Sequence, residues 1–160
     1  NLSVALFKRL HESMQLKEQK ASHWWKLREA SIAAVGYIGE DISANLDCFD
    51  IQSFAQNVLA ADLTSDASDI LRARSLWCAS QLSGGMPAEL VLPFVEGAAL
   101  SLQNTHTVLP VKMSACKAVG TFSYRVSHDV MLKYLPTILT GSTALLPVAT
   151  ENTLHIVLET

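Results

Sequence analysis

Apolar residues recur along the chain at the three- and four-residue spacings of amphipathic helices. The clearest stretch follows Asp50 and places its apolar side chains at Ile51, Phe54, Ala55, Val58, Leu59 and Leu63. Asp50 is suited to cap that helix, because its carboxylate can accept a hydrogen bond from a free backbone N–H of the first turn. No stretch alternates apolar and polar residues for long enough to predict a strand. The pattern predicts an all-α chain.

The same periodicity, with the residues that start and stop helices, gives the remaining elements. Helices are predicted over residues 1–20, 23–38, 50–63, 67–82, 87–102, 110–125 and 128–140, with a last helix opened by Pro147. Ser127 is a predicted N-cap. Gly84–Gly85 and Gly141 are predicted to end two helices, and Glu40 to Phe49 is predicted as a loop. Pro93 lies inside a predicted helix and is expected to kink it or shorten its first part.

Two kinds of helix alternate along the chain. Amphipathic helices over 50–63, 87–102 and 128–140 alternate with helices rich in small residues over 24–38, 68–82 and 110–125. Superposing the second kind aligns Arg28, Arg72 and Lys112 at spacings of 44 and 40 residues. A period of about 40–47 residues made of two helices is typical of HEAT and armadillo repeats, whereas tetratricopeptide and ankyrin periods are about 33–34 residues.

This period predicts an α-solenoid of antiparallel helix pairs. About four HEAT repeats are expected, approximately over residues 1–39, 50–82, 87–125 and 128–160, in one solenoid segment that spans 1–160. One helix pair cannot bury both faces of its inner helix, so neighbouring pairs are expected to stack and share a core. The basic residue at the start of each inner helix is expected to face the loop within its repeat, where an Asp is its partner.

Composition adds that the chain has more apolar surface than it can cover by itself. Hydrophobic residues make up 49% of the 160 residues and charged residues 17%, against about 25% charged in typical soluble domains. The excess is typical of surface covered by more chain or by a partner. The chain lacks an initiator Met and ends within a helical pattern, so we expect a segment of a longer solenoid. No signal peptide is indicated, and no apolar run approaches the roughly 18–20 residues of a membrane span.

The net charge is −3, and its distribution narrows the choice of partner. Between Arg28 and Arg72 the chain has no Lys or Arg but eight acidic residues, namely Glu29, Glu40, Asp41, Asp47, Asp50, Asp62, Asp66 and Asp69. Such a field disfavours direct nucleic-acid binding and favours basic partners. The alternative interpretation is a solvated acidic surface with helix N-caps. The candidate binding residues from this run are Glu40, Asp41, Asp47, Asp62, Asp66 and Asp69.

Trp24 joins these candidates, because an exposed Trp often anchors a partner. Adjacent helical positions point about 100° apart, so at least one residue of the Trp24–Trp25 pair is expected to pack inside. Trp25 is expected to be structural, and Trp24 is either an anchor or a packed residue.

Catalytic and metal-binding motifs are missing from the sequence. The five histidines lack Cys, Asp or Glu partners at ligand spacing, and Cys48, Cys78 and Cys116 form no CxxC pair. An odd cysteine count fits a reducing compartment, and Cys78 and Cys116 are expected to be small core residues. GxSxG, P-loop and GxGxxG motifs are also missing. We therefore expect neither an enzyme nor a cofactor or metal site.

One segment carries a more specific likeness. Residues 23–30, with the sequence HWWKLREA, continue to Ala34-Val35-Gly36 and resemble the middle repeats of the importin-9 branch of the importin-β (karyopherin) family. Residues 57–63, 74–80, 134–139 and 158–160 resemble the same family in collinear order. The double-Trp stretch is the most specific part, and the remainder is shared by many HEAT proteins.

The resemblance implies a nuclear import receptor that works in the cytoplasm and the nucleus. Receptors of this family wrap protein cargo on a concave surface and bind the GTP form of the small GTPase Ran through repeats near their N-terminus. Members of this branch carry core histone dimers, which are strongly basic and would suit the acidic run. The alternative is a structural HEAT scaffold of a multiprotein complex without dependence on Ran.

Overall fold

The computed structural model describes residues 2–64 and 68–160, apart from the side chains of residues 2, 3 and 48. Within these residues the chain is helical and has no strand, which confirms the all-α prediction. Its helices are α1 (Leu2–Glu18), α2 (Trp24–Tyr37), α3 (Gly39–Ala44), α4 (Ile51–Phe54), α5 (Asp69–Leu82), α6 (Ala88–Gln103), α7 (Leu109–Phe122), α8 (His128–Thr143) and α9 (Glu151–Leu158). None of the helices in these ranges has both the length and the apolarity of a membrane span.

The helices pack largely in chain order. One row contains α2, α5, α7 and α9, and each of these helices packs against the next. The remaining long helices lie against this row or beside one another: α1 packs on α2, and α6 packs on both α7 and α8. Within this row α5 lies between α2 and α7, and α7 lies between α5 and α9.

The core lies where these helices meet. Its largest fully buried side chains include Phe54, Phe94 and Phe122, and each buried side chain of this size stabilises the fold by about 1.5–3 kcal/mol relative to exposure. Ala79 on α5 and Ala115 and Ala118 on α7 are also fully buried, and their small side chains let the two helices approach closely. Cys78 and Cys116 are buried among them, which confirms their assignment to the core.

Several helix starts follow the predicted caps. Asp50 accepts a hydrogen bond from the backbone N–H of Ser53 at 2.9 Å, and the Ser127 hydroxyl accepts one from Val130 at 3.4 Å. The helix after Asp50 is less regular than predicted, because α4 widens into a π turn over Ala55–Leu59 and then tightens into a 3-10 turn over Ala61–Leu63. Pro93 does not shorten its helix, since α6 continues through it from Ala88 to Gln103.

Three boundary predictions are wrong, two of them in the connections between long helices. The segment Glu40 to Phe49 is mostly helical, with α3 and a 3-10 turn over Leu46–Cys48 in place of a loop. Glu40 and Asp41 lie in the first turn of α3, where negative charge is favoured by the helix dipole. The last helix is capped by Thr150 and begins at Glu151, after a separate 3-10 turn that contains Pro147.

Gly141 does not end α8, which continues to Thr143. The glycine is buried in the contact with α6, and a Cβ atom added there would lie 2.6 Å from the Cβ of Leu102. The absence of a side chain therefore permits the close crossing of α6 and α8, and the helix needs no stop at this position.

Candidate protein-binding surface

Asp62 belongs to the interior and is unavailable to a partner. The Nε of Arg28 on α2 donates to the Asp62 carboxylate at 2.8 Å, and the side chains are only 6% and 2% exposed. The same guanidinium reaches the carbonyl of Val58 at 3.5 Å, so it ties α2 to the end of the irregular helix after Asp50. The structure therefore places Asp62 away from the surface that was predicted to bind cargo, with its charge already neutralised inside the protein.

The predicted pairing of basic residues within their own repeats holds in part. Arg72 pairs with an Asp of its own predicted repeat, but this is Asp69 in the first turn of α5 and not a residue of the preceding loop. Arg28 pairs with Asp62, in the 3-10 turn of the next predicted repeat. Lys112 makes no ion pair with any residue that the structure describes. Asp69 is partly exposed but is already paired with Arg72, so its charge attracts a basic partner less strongly.

A third carboxylate of the acidic run is neutralised in the same way. Glu29 on α2 accepts from Arg74 on α5 at 2.7 Å, and both side chains are partly buried. Of the seven acidic residues of this run that the structure describes, three therefore face arginines of neighbouring turns or helices.

The remaining candidates gather on one short segment. Glu40, Asp41 and Asp47 are exposed on α3 and the 3-10 turn that follows it, and they make no ion pair within the described ranges. We call these three residues the acidic segment. Asp66, the other predicted contact, lies outside the described residues. The structure therefore brings together three of the six acidic candidates and separates Asp62 and Asp69 from them.

The two tryptophans of the double-Trp stretch are both partly buried and packed against the core. The Nζ of Lys17 lies 4.8 Å from the ring centroid of Trp24, and the Nζ of Lys26 lies 5.7 Å from that of Trp25. Each ring therefore has one side against the protein and a lysine beside its accessible part. Trp24 has some accessible surface, but it is not a protruding anchor.

A second surface lay outside the sequence prediction. Trp77 on α5 is flanked by Arg74, whose guanidinium carbon is 4.9 Å from the ring centroid, and by Tyr37, whose ring centroid is 5.1 Å away. Tyr37 is 77% exposed. The i, i+3 spacing of Arg74 and Trp77 is visible in the sequence, but it does not show that α7 and α9 form a groove beside them.

The remaining chemistry is that of a structural interior. Within the described residues no three His, Cys, Asp or Glu side chains come together in a way that could hold a metal ion. Burial raises the pKa of the Cys78 thiol far above its usual range, against a smaller opposing effect of Arg74. This thiol is therefore protonated and a poor nucleophile at neutral pH.

A scan against protein-family models found no match for this chain. The likeness to nuclear import receptors consequently rests on the residue patterns described above.

Proposed function

We propose that this chain is a HEAT-type solenoid segment of a nuclear import receptor and that it contributes to binding a basic protein cargo such as core histones. The observation that carries the proposal is the distribution of negative charge. Glu29, Asp62 and Asp69 are neutralised by arginines, whereas the acidic segment is exposed and has no cation paired with it in the described ranges. A surface of this kind attracts cationic proteins.

The packing order supports the solenoid part of the proposal. In a HEAT array each inner helix stacks on the inner helices of the neighbouring repeats, so contacts follow chain order. The succession α2, α5, α7, α9 fits such an inner row. The four pairs would be α1 with α2, α4 with α5, α6 with α7, and α8 with α9, close to the repeat boundaries that the sequence period predicts. Of these, α1 packs extensively on α2 and α6 on α7, α5 meets the turns that follow α4, and α8 has little direct contact with α9.

The transport part of the proposal is supported by the collinear resemblance to the importin-β family. A receptor of that kind takes cargo in the cytoplasm and releases it in the nucleus when Ran bound to GTP engages other repeats of the parent chain. In this scheme the segment acts as a binding surface and performs no catalysis.

Charge reversal tests whether the acidic segment binds cargo. The triple variant E40K/D41K/D47K of the full-length chain should bind core histone dimers about 10–100-fold more weakly at low salt, because three negative charges that attract a basic partner become positive. Each tenfold loss of affinity corresponds to about 1.4 kcal/mol of binding free energy. Added salt should narrow the difference, since exposed charges are screened. Fluorescence titration with labelled histone dimers measures both effects.

A matched control separates a local contact from a general effect of charge. Glu89, Glu96 and Glu151 are exposed on α6 and α9, and two of them lie in first helical turns, as Glu40 and Asp41 do. The variant E89K/E96K/E151K has the same net charge as the test variant and should lose much less affinity. Equal losses in the two variants would remove the acidic segment from the cargo site.

A further inference from the structure

A groove lies along the inner row of helices, on α5, α7 and α9. It has a volume of about 330 Å³, and its walls include the apolar side chains of Ile70, Trp77, Met113 and Ile156. A second, more polar pocket of about 620 Å³ adjoins it at Lys117 and Ile156 and continues past Tyr124 and Glu159. We call the first pocket the apolar groove. Together the two pockets follow one face of α7.

The apolar groove is held in shape by the contacts of Trp77. Gly36 on α2 leaves the space that the Trp77 ring occupies, since a Cβ atom added to this glycine would lie 2.4 Å from the ring. Tyr37 and Arg74 contact the ring from two further directions, and Arg74 is itself fixed by Glu29 at 2.7 Å. A rigid apolar wall loses little conformational entropy when a partner binds, which favours affinity.

The charges at the apolar groove are positive. Arg74 and Lys117 line it, and no acidic side chain of the described residues does. Lys117 is exposed and makes no ion pair within the described ranges. An occupant with a carboxylate beside its apolar side chains would therefore meet the unpaired cation of Lys117. The apolar groove thus favours an acidic partner, whereas the acidic segment favours a basic one.

The polar groups available in the apolar groove favour a helical occupant. Apart from its two cations and the indole N–H of Trp77, this groove offers only the Ser114 hydroxyl as a polar side-chain group. An extended peptide would leave backbone N–H and C=O groups without partners there, whereas a helix satisfies them internally. The face of α7 from Pro110 to Thr121 that lines the two pockets is about 16 Å long at about 1.5 Å per residue, the length of about three helical turns.

We propose that the apolar groove docks an amphipathic helix of a partner protein, with aliphatic or aromatic side chains on one face and carboxylates flanking them. The apolar face lies against Trp77, Met113 and Ile156, and a flanking carboxylate pairs with Lys117. This site is separate from the acidic segment and selects a partner of opposite charge, so it does not depend on the proposed cargo function.

Three labelled peptides of about 16 residues test this site on the full-length chain by fluorescence anisotropy. The acidic probe carries Leu at i, i+3, i+4 and i+7 with flanking Glu, a neutral probe replaces every Glu by Gln, and a third probe has a central Pro. The acidic probe should bind about fivefold more tightly than the neutral probe. The probe with the central Pro should bind at least about tenfold more weakly than the acidic probe, because it cannot form a continuous helix.

Two exposed leucine-sized positions give a matched pair of variants. Ile70 at the groove is 51% exposed and Leu100 on α6 is 56% exposed, so an Asp introduced at either position stays hydrated. Ile70→Asp should lower the affinity for the acidic probe at least about tenfold. Leu100→Asp should leave that affinity within about twofold of the value for the unsubstituted protein. Lys117→Glu, at an exposed position, should abolish the preference for the acidic over the neutral probe. Equal affinity for all three probes, or equal effects of the two Asp variants, would overturn the proposal.

Discussion

At the scale of single residues, the buried ion pair between Arg28 and Asp62 joins two parts of the chain that lie 34 residues apart. Its two side chains are almost completely removed from water, so each charge depends on the other for compensation. The exposed pair Arg9–Glu12 has the same 2.8 Å separation but remains hydrated. The two pairs therefore differ in burial, whereas their N–O distances are the same.

This difference predicts different costs of substitution. Arg28→Met or Asp62→Leu alone should lower the free energy of unfolding by about 3–5 kcal/mol, because the remaining charge is buried without a partner. The double variant should cost clearly less than the sum of the single variants. Arg9→Met should cost about 1 kcal/mol or less, as exposed pairs do. Urea unfolding of the unsubstituted protein, the two single variants at Arg28 and Asp62, and the double variant measures the coupling energy. Additive effects of the two substitutions would show that the two charges do not compensate each other.

The same pair shows what the sequence could not predict about the candidate site. The acidic run is visible in the sequence, and Glu40, Asp41 and Asp47 are exposed as expected. Asp62 looks no different from them in the sequence, because its partner is distant along the chain and the contact arises only when α2 packs beside the next helix pair. A charge pattern therefore predicts the sign of a surface, but it does not predict which members of the run are neutralised inside.

At the scale of helices, close contacts between helices depend on glycine in the last turn of an element. Gly36 accommodates Trp77, and Gly141 accommodates Leu102 where α8 crosses α6. In the sequence such a glycine looks the same as one that terminates a helix, which is why Gly141 was predicted to be a stop. The short helix α3 was missed for a related reason: a six-residue helix shows too little periodicity to be distinguished from a loop.

Substitution of Gly141 measures how closely α6 and α8 pack. Gly141→Ala should lower the free energy of unfolding by about 1–3 kcal/mol, because the added methyl group must displace Leu102. Gly84→Ala is the control, since its added Cβ would lie 3.7 Å from the nearest atom and should change stability by no more than about 0.5 kcal/mol. Thermal or urea unfolding distinguishes them, and equal stability of the two variants would refute the close crossing.

At the scale of the whole molecule, two surfaces of opposite charge lie on different parts of the fold. The acidic segment lies on the connection between α2 and α4, whereas the apolar groove with its cations lies on α5, α7 and α9. The all-helical fold and most helix positions could be predicted from apolar periodicity and capping residues. The apolar groove could not be predicted from the sequence, because it forms only when α5, α7 and α9 pack beside one another.

The proposed function makes this protein a Ran-regulated receptor for basic cargo. Its most direct test is the binding of the full-length protein to purified core histone dimers, measured with and without Ran bound to GTP. A transport receptor should bind the histone dimers tightly, and its affinity for them should change when Ran–GTP is added. The absence of binding to both histones and Ran would contradict it, and histone binding that is indifferent to Ran would favour a structural scaffold in place of a transport receptor.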